Sequence, residues 1–483
     1  PAAATSASAL AARAVPLAVL VAAIVRLPRL LESLWYDEIF AWLDFGSQGA
    51  AYVLTHYHDP VNHVFYTLLT VFSMAAFAGP LGDEIALRLP AFLVSLATIP
   101  VLAAAARTLL RDIVDLPPDV RAALAAALAA VLPLFVLEGT EARGYALMIG
   151  GSAAASWALA RLWLDGSELC HPGRAVAAYL VAAVGGAWAH PLTLLVPLAH
   201  GLVLVAFAFR GDRPARKLIA LPLAAGIGTA LLFLPLLGDV LDQRAMFAAA
   251  ETTQPRLWGR EGLGMLLGLG GAWTWWAALP GLALAALGTV RLARTDRGRR
   301  ILMLFGGGLP LFIGLVLILG TWAYARFTLF MLPCAVLAMV AGLGTLRSWH
   351  RGALAVAIAL VAATSAADLA LLPPRQPLRD MMVEVHRRYD PGTDRVLVIG
   401  LAHPVFDVYR GEFDLAYSYH HGRHLGDRLA DVRPAVVIVQ YPRHVPEAVY
   451  ADLAARGFEP VLRLRGWVDW GNGDLLLYER SGP

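Results

Sequence analysis

Residues 191–209 read PLTLLVPLAHGLVLVAFAF, a run of nineteen residues without a charged side chain. A helix needs about 20 apolar residues to cross the hydrocarbon core of a bilayer, so this run predicts a transmembrane helix. Comparable runs occur at 14–31, 85–107, 120–137, 144–164, 175–189, 217–237, 264–290, 300–319, 326–346 and 352–372. The sequence therefore predicts a polytopic α-helical membrane protein with eleven spans.

The composition supports this prediction and excludes several classes of protein. Hydrophobic residues make up 58% of the 483 residues and charged residues only 16%, with a mean hydropathy of +0.62. A chain this apolar does not fit a cytosolic enzyme. The net charge of +3 is too small to indicate nucleic-acid binding. Two cysteines, Cys170 and Cys334, provide neither a disulfide framework nor metal-ligand spacing. Arg26 interrupts the first run, which favours an uncleaved span over a signal peptide.

The basic residues predict which side of the membrane each loop occupies. Seventeen of the 25 Lys and Arg residues before position 373 fall in loops on one side, provided that the ambiguous stretch 61–79 does not cross. The positive-inside rule makes that side cytoplasmic. The N-terminus is then cytoplasmic, while 32–84 and everything after 372 lie outside. If 61–79 crossed, the basic loops would divide between both faces, so we predict that it is a juxtamembrane or re-entrant helix.

The composition changes after Pro373 to that of a soluble domain. The last 111 residues contain 14 Arg and 15 Asp or Glu. Strand-like runs occur at 395–400 and 435–440, and helix-like stretches occur at 404–410 and 446–456. Residues 460–479 could form a closing hairpin around Gly471-Asn472-Gly473. We therefore predict two domains: 1–372 is transmembrane, with juxtamembrane helices in the outer loop 32–84, and 373–483 is a small α/β domain in the periplasm or outside the cell.

Polar residues that are costly near lipid indicate where function is located. They collect in the segments predicted to lie outside, after the first span, within the same loop, and at the ends of later spans. The candidates are Tyr36, Asp37, Glu38, His58, Asp59, His63, Glu141, Arg143, Tyr145, His190, Tyr324 and Arg326.

Each candidate also has a purely structural interpretation. Tyr36 could belong to the aromatic belt, and Asp37-Glu38 could be favourable acids at a helix start. Glu141 and Arg143 could form a local ion pair, and Arg326 could extend to lipid head groups. The histidines show no HExxH pattern or cysteine partner that would indicate zinc. The conjunction of these residues favours a functional site.

Such a set fits transfer of a group from an anionic lipid donor. A carboxylate at the membrane edge can take a proton from an acceptor hydroxyl. Arginines can bind a phosphate and stabilise the charge that grows on it as it leaves. An apolar groove between spans would hold the lipid tail. This combination is what a glycosyltransferase using a polyprenyl-phosphate sugar requires.

Five motifs in this order resemble the GT-C class of membrane glycosyltransferases, in particular the protein O-mannosyltransferase and aminoarabinose-transferase superfamily (family 39-like), over roughly residues 14–346. They are Asp37-Glu38 within WYDEIFAW, the stretch His58 to Tyr66 (HDPVNHVFY), Ala86-Leu87-Arg88-Leu89-Pro90, Glu141 to Leu147 (EARGYAL), and Arg326 to Pro333 (RFTLFMLP).

The resemblance implies an inverting glycosyltransferase in the bacterial cytoplasmic membrane, with its active site on the outer face. It implies that Asp37 is the general base and that Glu38 orients Asp37 or a metal, with Mg or Mn as possible cations. Arg143 and Arg326 would hold the donor phosphate. The remaining substrate-binding candidates are Tyr36, His58, Asp59, His63, Arg88, Glu141, Tyr145, His190 and Tyr324.

The partners implied are a polyprenyl-phosphate-linked sugar, a glycan, lipid or protein acceptor, and membrane lipids. One departure is that the lysine which contacts the donor phosphate in the lipid A branch has no counterpart here. That contact would pass to His58, His63, Arg143 or Arg326. Two alternatives remain: a transporter or flippase of lipid-linked sugars, and a polysaccharide polymerase or ligase of another membrane fold.

Overall fold

The computed structural model describes residues 2–166, 169–249, 278–319, 325–349, 351–389, 395–400, 405–409, 417–420, 434–443, 445–468 and 473–480. The chain divides into two compact units. The helical unit comprises Pro1–Leu30 and Gln48–Leu371, and the C-terminal unit comprises Leu31–Ser47 and Leu372–Pro483. This grouping differs from the predicted division at 372, because Leu31–Ser47 packs with the C-terminal residues.

The described residues of the helical unit are mostly α-helical. In chain order the helices are α1 (Ala2–Leu30), α3 (Ala50–Val53), α4 (Val64–Leu81), α5 (Asp83–Leu109), α6 (Pro118–Val131), α7 (Pro133–Leu137), α8 (Tyr145–Leu164), α9 (Pro172–Ala189), α10 (Leu195–Phe209), α11 (Arg213–Leu218), α12 (Ala220–Phe233), α13 (Leu237–Ala249), α14 (Ala278–Ala293), α15 (Asp296–Gly306), α16 (Gly308–Leu319), α17 (Leu332–Trp349) and α18 (Arg351–Leu371), with α2 (Tyr36–Asp44) in the other unit. Short 3-10 helices at Pro191–Leu194, Leu234–Leu236 and Ala325–Met331 join some of them.

Seven helical stretches among the described residues have the length and hydropathy of membrane spans. They are Val64–Leu81, Asp83–Leu109, Tyr145–Leu164, Pro191–Phe209, Arg213–Gln243, Arg326–Arg347 and Gly352–Leu371. The bent pair α15 and α16, with 43° between its halves, makes an eighth if it crosses as one span. The chain is a multi-pass membrane protein. The predicted apolar runs fall on helices wherever their residues are described, whereas 264–277 lies outside the described residues.

Residues 64–79 of the ambiguous stretch 61–79 belong to α4, a helix of 18 residues. Its length and its mean hydropathy of 1.7 are sufficient for a membrane span, as they are for the other helices named above. Composition and length therefore allow α4 to cross, although the distribution of basic loops argued against crossing. Its placement outside the bilayer stays a prediction.

Buried arginines complete helix ends inside the helical unit. α6 and α7 are separated by Leu132, because Pro133 has no N–H to donate to the carbonyl of Ala129. The guanidinium of Arg26, on α1, supplies the missing donors: it binds the carbonyls of Ala129 at 3.3 Å and Ala130 at 3.1 Å. This explains why a charged residue interrupts the first apolar run.

Glycines let α8 and α9 approach each other closely. A Cβ atom on Gly151 would lie 2.8 Å from the carbonyl oxygen of Ala182 and 3.0 Å from the Cα of Gly186. Such contacts are too short for any larger residue. The close crossing fixes the N-terminal end of α8 relative to the C-terminal end of α9, where several candidate site residues lie.

The C-terminal unit contains a five-stranded sheet. Its elements are α19 (Leu378–Arg388), β1 (Val396–Ile399), a 3-10 helix (Val405–Tyr409), β2 (Tyr417–His420), β3 (Val436–Gln440), α20 (Glu447–Ala455), β4 (Phe458–Leu464) and β5 (Leu475–Arg480), besides α2 and the 3-10 helix Gly46–Gln48. The strand order is β2-β1-β3-β5-β4. β1 pairs in parallel with β2 and β3, and β5 pairs antiparallel with β3 and β4.

These elements confirm most of the predicted α/β pattern. β1 and β3 are buried along their whole length, and apart from Gln440 they are apolar, as expected for strands with both faces covered. β4 and β5 form the predicted hairpin. Gly471 and Asn472, which were predicted to form its turn, lie outside the described residues. The helix-like stretch 404–410 is a 3-10 helix. α19 and β2 were not predicted.

Candidate functional site

His63 lies immediately before α4 and is buried. The backbone N–H of Gly144 donates to Nδ1 of His63 at 2.6 Å. An N–H cannot accept a hydrogen bond, so Nδ1 is the unprotonated nitrogen and the neutral ring carries its proton on Nε2. That nitrogen lies 3.3 Å from Nη2 of Arg143. Two donors thus converge on one region of space, an arrangement suited to a shared acceptor atom.

Gly144 makes this contact possible. A Cβ atom at this position would lie 2.4 Å from the carbonyl oxygen of Ala189 and 2.8 Å from Nδ1 of His63. Glycine is therefore the residue that fits where the turn before α8 passes between the end of α9 and the imidazole.

Arg143 is buried and fixed in the turn between α7 and α8. Its backbone N–H donates to the carbonyl of Glu141 at 2.7 Å, which bends the chain before α8. Nη1 donates to the carbonyl of Val61 at 3.1 Å, and the guanidinium carbon lies 5.9 Å from the ring centroid of Tyr145. These contacts hold the guanidinium beside His63.

His190 ends α9 and stacks into the same group of side chains. Its ring centroid lies 4.7 Å from that of His63 and 5.1 Å from that of Tyr145. The ring centroid of Phe327, in the 3-10 helix Ala325–Met331, lies 6.1 Å from that of His190. The neighbouring Arg326 is buried. We call His63, Arg143, Tyr145, His190 and Arg326 the polar cluster.

Both histidines of the polar cluster are held in the neutral form. Burial, followed by the positive charge of Arg143, lowers the pKa of His63 well below its usual value, and Arg326 adds to this effect. The same causes, burial and then Arg143 and Arg326, lower the pKa of His190 to about 3. The imidazoles therefore experience a positive electrostatic environment, which favours an anion.

The loop before His63 is ordered by its own side chains. Asn62 is buried, and its Nδ2 donates to the carbonyls of Val53 at 3.3 Å and His56 at 2.9 Å. The carboxylate of Asp59 accepts from the N–H of Val61 at 2.8 Å. His58 is exposed. Asp59 thus shapes the turn that delivers the Val61 carbonyl to Arg143.

Two other predicted residues of the helical unit lie in contrasting places. Nη1 of Arg88 donates to the carbonyls of Arg29 at 3.1 Å and Leu30 at 3.3 Å, so this guanidinium caps the end of α1. The predicted role of Arg88 in substrate binding stays a prediction. Glu141 is buried beside the turn that carries Arg143. Tyr324 lies outside the described residues.

Asp37, Glu38 and Tyr36 belong to the C-terminal unit and begin α2. Tyr36 is the first residue of the helix and Asp37, which is half-buried, is the second. Glu38 is buried, and its carboxylate accepts from the N–H of Trp35 at 3.1 Å. Glu38 thus satisfies a backbone donor that a helix start leaves unpaired.

Acidic and histidine side chains do not gather into a cation site within the described parts of either unit. No group of three or more His, Cys, Asp or Glu residues there could hold a metal ion. The Mg or Mn ion that the resemblance implies as possible stays a prediction.

Comparison with known proteins agrees with the architecture of both units. No protein-family model and no curated protein matches the sequence. Among solved structures, ArnT from Cupriavidus metallidurans in the apo state matches with a TM-score of 0.57 at 14% identity, covering 98% of each chain. The chain has the GT-C fold.

Two further structures support this assignment. ArnT from Cupriavidus metallidurans bound to undecaprenyl phosphate has a TM-score of 0.55 at 14% identity and covers 99% of this chain and 100% of its own. The archaeal oligosaccharyltransferase AglB from Archaeoglobus fulgidus, in complex with an inhibitory peptide and a dolichol-phosphate, has a TM-score of 0.52 at 12% identity. It covers 94% of this chain and 73% of its own. The predicted fold class is confirmed.

Several residues that build the site were not predicted from the sequence. Gly144 was part of a quoted motif, but its steric role depends on the carbonyl of Ala189. Asn62 lies within the quoted stretch His58 to Tyr66 but was not among the candidate site residues. Gln376 and Tyr409 of the C-terminal unit bind the segment that carries Asp37, and nothing in the local sequence distinguishes them.

Proposed function

We propose that the protein is an inverting glycosyltransferase that moves a sugar from a polyprenyl-phosphate donor to an acceptor nucleophile at the outer face of the bacterial cytoplasmic membrane. The observation that carries this proposal is the convergence of the Nε2–H of His63 and the Arg143 guanidinium, 3.3 Å apart. A phosphate oxygen can accept from both donors at once. The likeness to ArnT bound to undecaprenyl phosphate supports a lipid phosphate as the ligand.

The polar cluster would bind the donor phosphate and stabilise it as a leaving group. Arg143 and Arg326 are buried, so their charge acts on the phosphate with little screening by water. Neutral His63 donates a hydrogen bond without requiring a further proton. Tyr145, His190 and Glu141 would line the region next to the phosphate.

Asp37 would act as the general base. The acceptor hydroxyl passes its proton to the Asp37 carboxylate while its oxygen forms a bond to the anomeric carbon of the sugar. The bond between that carbon and the phosphate oxygen breaks, and both electrons leave with the polyprenyl phosphate. Glu38 would help by fixing the first turn of α2 through its bond to Trp35. Tyr36, His58 and Asp59 are proposed substrate contacts.

The test uses purified protein in detergent with a panel of lipid donors. Undecaprenyl phosphate carrying mannose, glucose or aminoarabinose is compared with the same sugars on undecaprenyl diphosphate, and release of the free lipid phosphate is measured with water or a membrane fraction as acceptor. Consumption of a monophosphate donor is expected. Consumption of diphosphate donors alone would contradict the proposed donor class.

Asp37→Asn tests the base. The variant should bind undecaprenyl phosphate normally and lose more than about nine-tenths of its transfer activity, because it keeps the size but not the proton acceptor. Asp44→Asn, at the other end of α2, is the matched control and should remain active. Transfer above about a tenth of the wild-type rate would move the role to Glu38 or Asp59.

The same donors distinguish catalysis from transport. In proteoliposomes, a flippase would move a labelled lipid-linked sugar to the other leaflet without releasing lipid phosphate. The alternative of a polymerase or ligase of another membrane fold does not agree with the GT-C fold. Lipid movement without chemistry, by wild type and Asp37→Asn alike, would favour the transporter.

The topology is tested separately. We propose a cytoplasmic N-terminus and an external C-terminal domain. A reporter fused at position 295 should then read cytoplasmic, and one after residue 380 external. Cysteine labelling at position 82 should occur from outside if α4 does not cross. Labelling at that position from the cytoplasm alone would show that α4 spans the membrane.

A further inference from the structure

Asp37, the residue proposed as the base, does not belong to the helical unit. Asp37 follows Leu31–Trp35, and the whole stretch Leu31–Ser47 packs with Leu372–Pro483 in the C-terminal unit. The C-terminal unit therefore determines where Asp37 is held. The inference below rests on the proposed function, because it concerns how that base is positioned.

Two side chains of the C-terminal unit accept hydrogen bonds from the backbone just before Asp37. The Tyr409 hydroxyl accepts from the N–H of Leu34 at 2.8 Å, and Oε1 of Gln376 accepts from the N–H of Tyr36 at 2.8 Å. The first N–H groups of a helix have no partner within the helix. Gln376, which is fully buried, thus caps α2 from a distant part of the chain.

Aromatic contacts hold the same segment. The guanidinium carbon of Arg375 lies 5.6 Å from the ring centroid of Trp35 and 5.1 Å from that of Trp467. The ring of Tyr36 packs edge-on against Tyr441 at 5.7 Å. A cation between two indole rings is favourable, particularly when shielded from water. The backbone on both sides of Leu34 is therefore fixed by hydrogen bonds and by ring contacts.

The residues that hold the segment are themselves tightly placed. A Cβ atom on Gly473 would lie 2.1 Å from the carbonyl oxygen of Arg375, and one on Gly466 would lie 2.6 Å from it. The N–H of Trp467 donates to the carbonyl of Pro374 at 2.9 Å. The chain that presents Gln376 is thus locked against the β4–β5 hairpin.

Helix α19 makes further contacts with the same segment. The N–H of Arg379 donates to the hydroxyl of Ser33 at 3.2 Å, and the guanidinium of Arg379 lies 5.8 Å from the Tyr409 ring. Ser33, Leu34 and Tyr36 are each bound by a different residue of the C-terminal unit. Three separate points define the direction in which α2 begins.

We propose that Gln376 and Tyr409 are positioning residues for Asp37, so that the C-terminal unit forms part of the catalytic apparatus. A general base works only within hydrogen-bond reach of its proton, and displacement of about 1 Å costs up to roughly a hundredfold in rate. Asp37 is the second residue of α2, and so any shift in the helix start moves its carboxylate directly.

Two variants remove the acceptors with little change in shape. Gln376→Leu and Tyr409→Phe each leave one backbone N–H without its partner. Gln376→Glu keeps an acceptor oxygen and should restore the wild-type behaviour. The matched control is Tyr450→Phe, which removes a hydroxyl that donates to the carbonyl of Pro442 at 2.7 Å in the same unit.

The first measurement is amide hydrogen exchange of the peptide 33–44 in the full-length protein in detergent. Loss of one such hydrogen bond should speed exchange by roughly three- to tenfold in Gln376→Leu and Tyr409→Phe. Tyr450→Phe and Gln376→Glu should exchange like wild type in this peptide. Unchanged exchange in the two test variants overturns the proposal whatever their activity.

The second measurement is turnover of whichever monophosphate donor the wild type consumes in the panel above. We expect kcat to fall by roughly tenfold in both test variants while KM for the donor stays unchanged, because donor contacts are not altered. Faster exchange with unchanged kcat would also overturn the positioning role. If the wild type consumes no donor but exchange is faster in the two test variants, the proposed function is contradicted. The conclusion that Gln376 and Tyr409 hold the segment before Asp37 would remain valid.

Discussion

The two ends of α8 hold arginines in different ways. α8 has 20 residues and so separates its ends by about 30 Å. At its C-terminal end, the buried Asp165 carboxylate binds Arg111 at 2.7 Å, Arg297 at 2.9 Å and Arg161 at 3.2 Å. At its N-terminal end, Arg143 contacts the Val61 carbonyl and the neutral imidazole of His63.

The difference separates a structural role for buried arginine from the binding role proposed for the polar cluster. Asp165 joins arginines from three parts of the chain. A second carboxylate at this end, Asp212, binds Arg300 at 2.9 Å and caps α11 through the N–H of Ala215. These arginines were predicted only as topology signals, yet they also tie helices together. In the polar cluster burial, and then the positive charge of the arginines, lowers the pKa of the neighbouring histidines. A bound phosphate would balance that positive charge.

The largest expected effect on stability lies at the carboxylate end. Asp165→Asn removes the charge that three guanidinium groups share, and we expect a loss of about 3 kcal/mol, at the lower limit for buried ion pairs because Arg111 is partly exposed. Thermal unfolding in detergent measures the loss, and activity per folded molecule should stay near wild type. Asp296→Asn is the control, since its pair with Arg299 is exposed.

Substitutions in the polar cluster should affect the transfer rate more than the stability. Arg143→Lys and Arg326→Lys keep the charge but lose the planar pair of donors, so each should lower the transfer rate by about ten- to a hundredfold. Arg297→Lys, at the other end of α8, should lower the unfolding temperature and leave transfer by the folded protein unchanged. Normal transfer by both cluster variants at subsaturating donor would make these arginines structural and leave the phosphate to His58 and His63.

Much of the helical architecture follows from the sequence because an apolar run without charges has few alternatives to a membrane helix. The EARGYAL motif likewise predicted two residues that are neighbours in the structure, since Arg143 and Tyr145 lie on either side of Gly144. His63 and His190 join them only because α4 packs against α9 and α9 packs against α8. The motif order indicated that association but could not define its geometry.

Tertiary capping explains most of what the sequence could not show. Arg88 is found in a family motif, yet it caps α1 because the end of α1 happens to lie beside it. Arg26 caps the break at Pro133 from more than a hundred residues away. Gln376 and Tyr409 act on α2 across more than 300 residues. Such contacts depend on where helix ends meet, which local sequence does not encode.

Gly144 tests how tightly the polar cluster is packed. Gly144→Ala places a methyl group against the Ala189 carbonyl and the His63 ring, so the turn must shift. We expect a loss of about 1–2 kcal/mol in stability and a lower transfer rate, because the displaced N–H no longer holds Nδ1. Gly166→Ala, near the other end of α8, meets no atom within 4 Å and should be neutral in both measurements.

The buried histidines of the polar cluster should also make stability depend on pH. The pKa of His190 is lowered to about 3 in the folded protein, chiefly by burial, and that of His63 is lowered as well. Both imidazoles titrate near pH 6.5 when unfolded. Between these values the unfolded chain binds more protons than the folded one, so stability falls as the pH drops below about 6.5.

Each histidine contributes a slope of at most about 1.4 kcal/mol per pH unit in that window. His190→Gln cannot titrate there and should lower the measured slope by up to about 1.4 kcal/mol per pH unit, the share of one histidine, in unfolding experiments in detergent between pH 4 and 7. His56→Gln, an exposed position that stacks on Tyr52, is the matched control. An equal slope in wild type and His190→Gln would mean that His190 is protonated in the folded protein, and the polar cluster would then carry one more positive charge than its geometry implies.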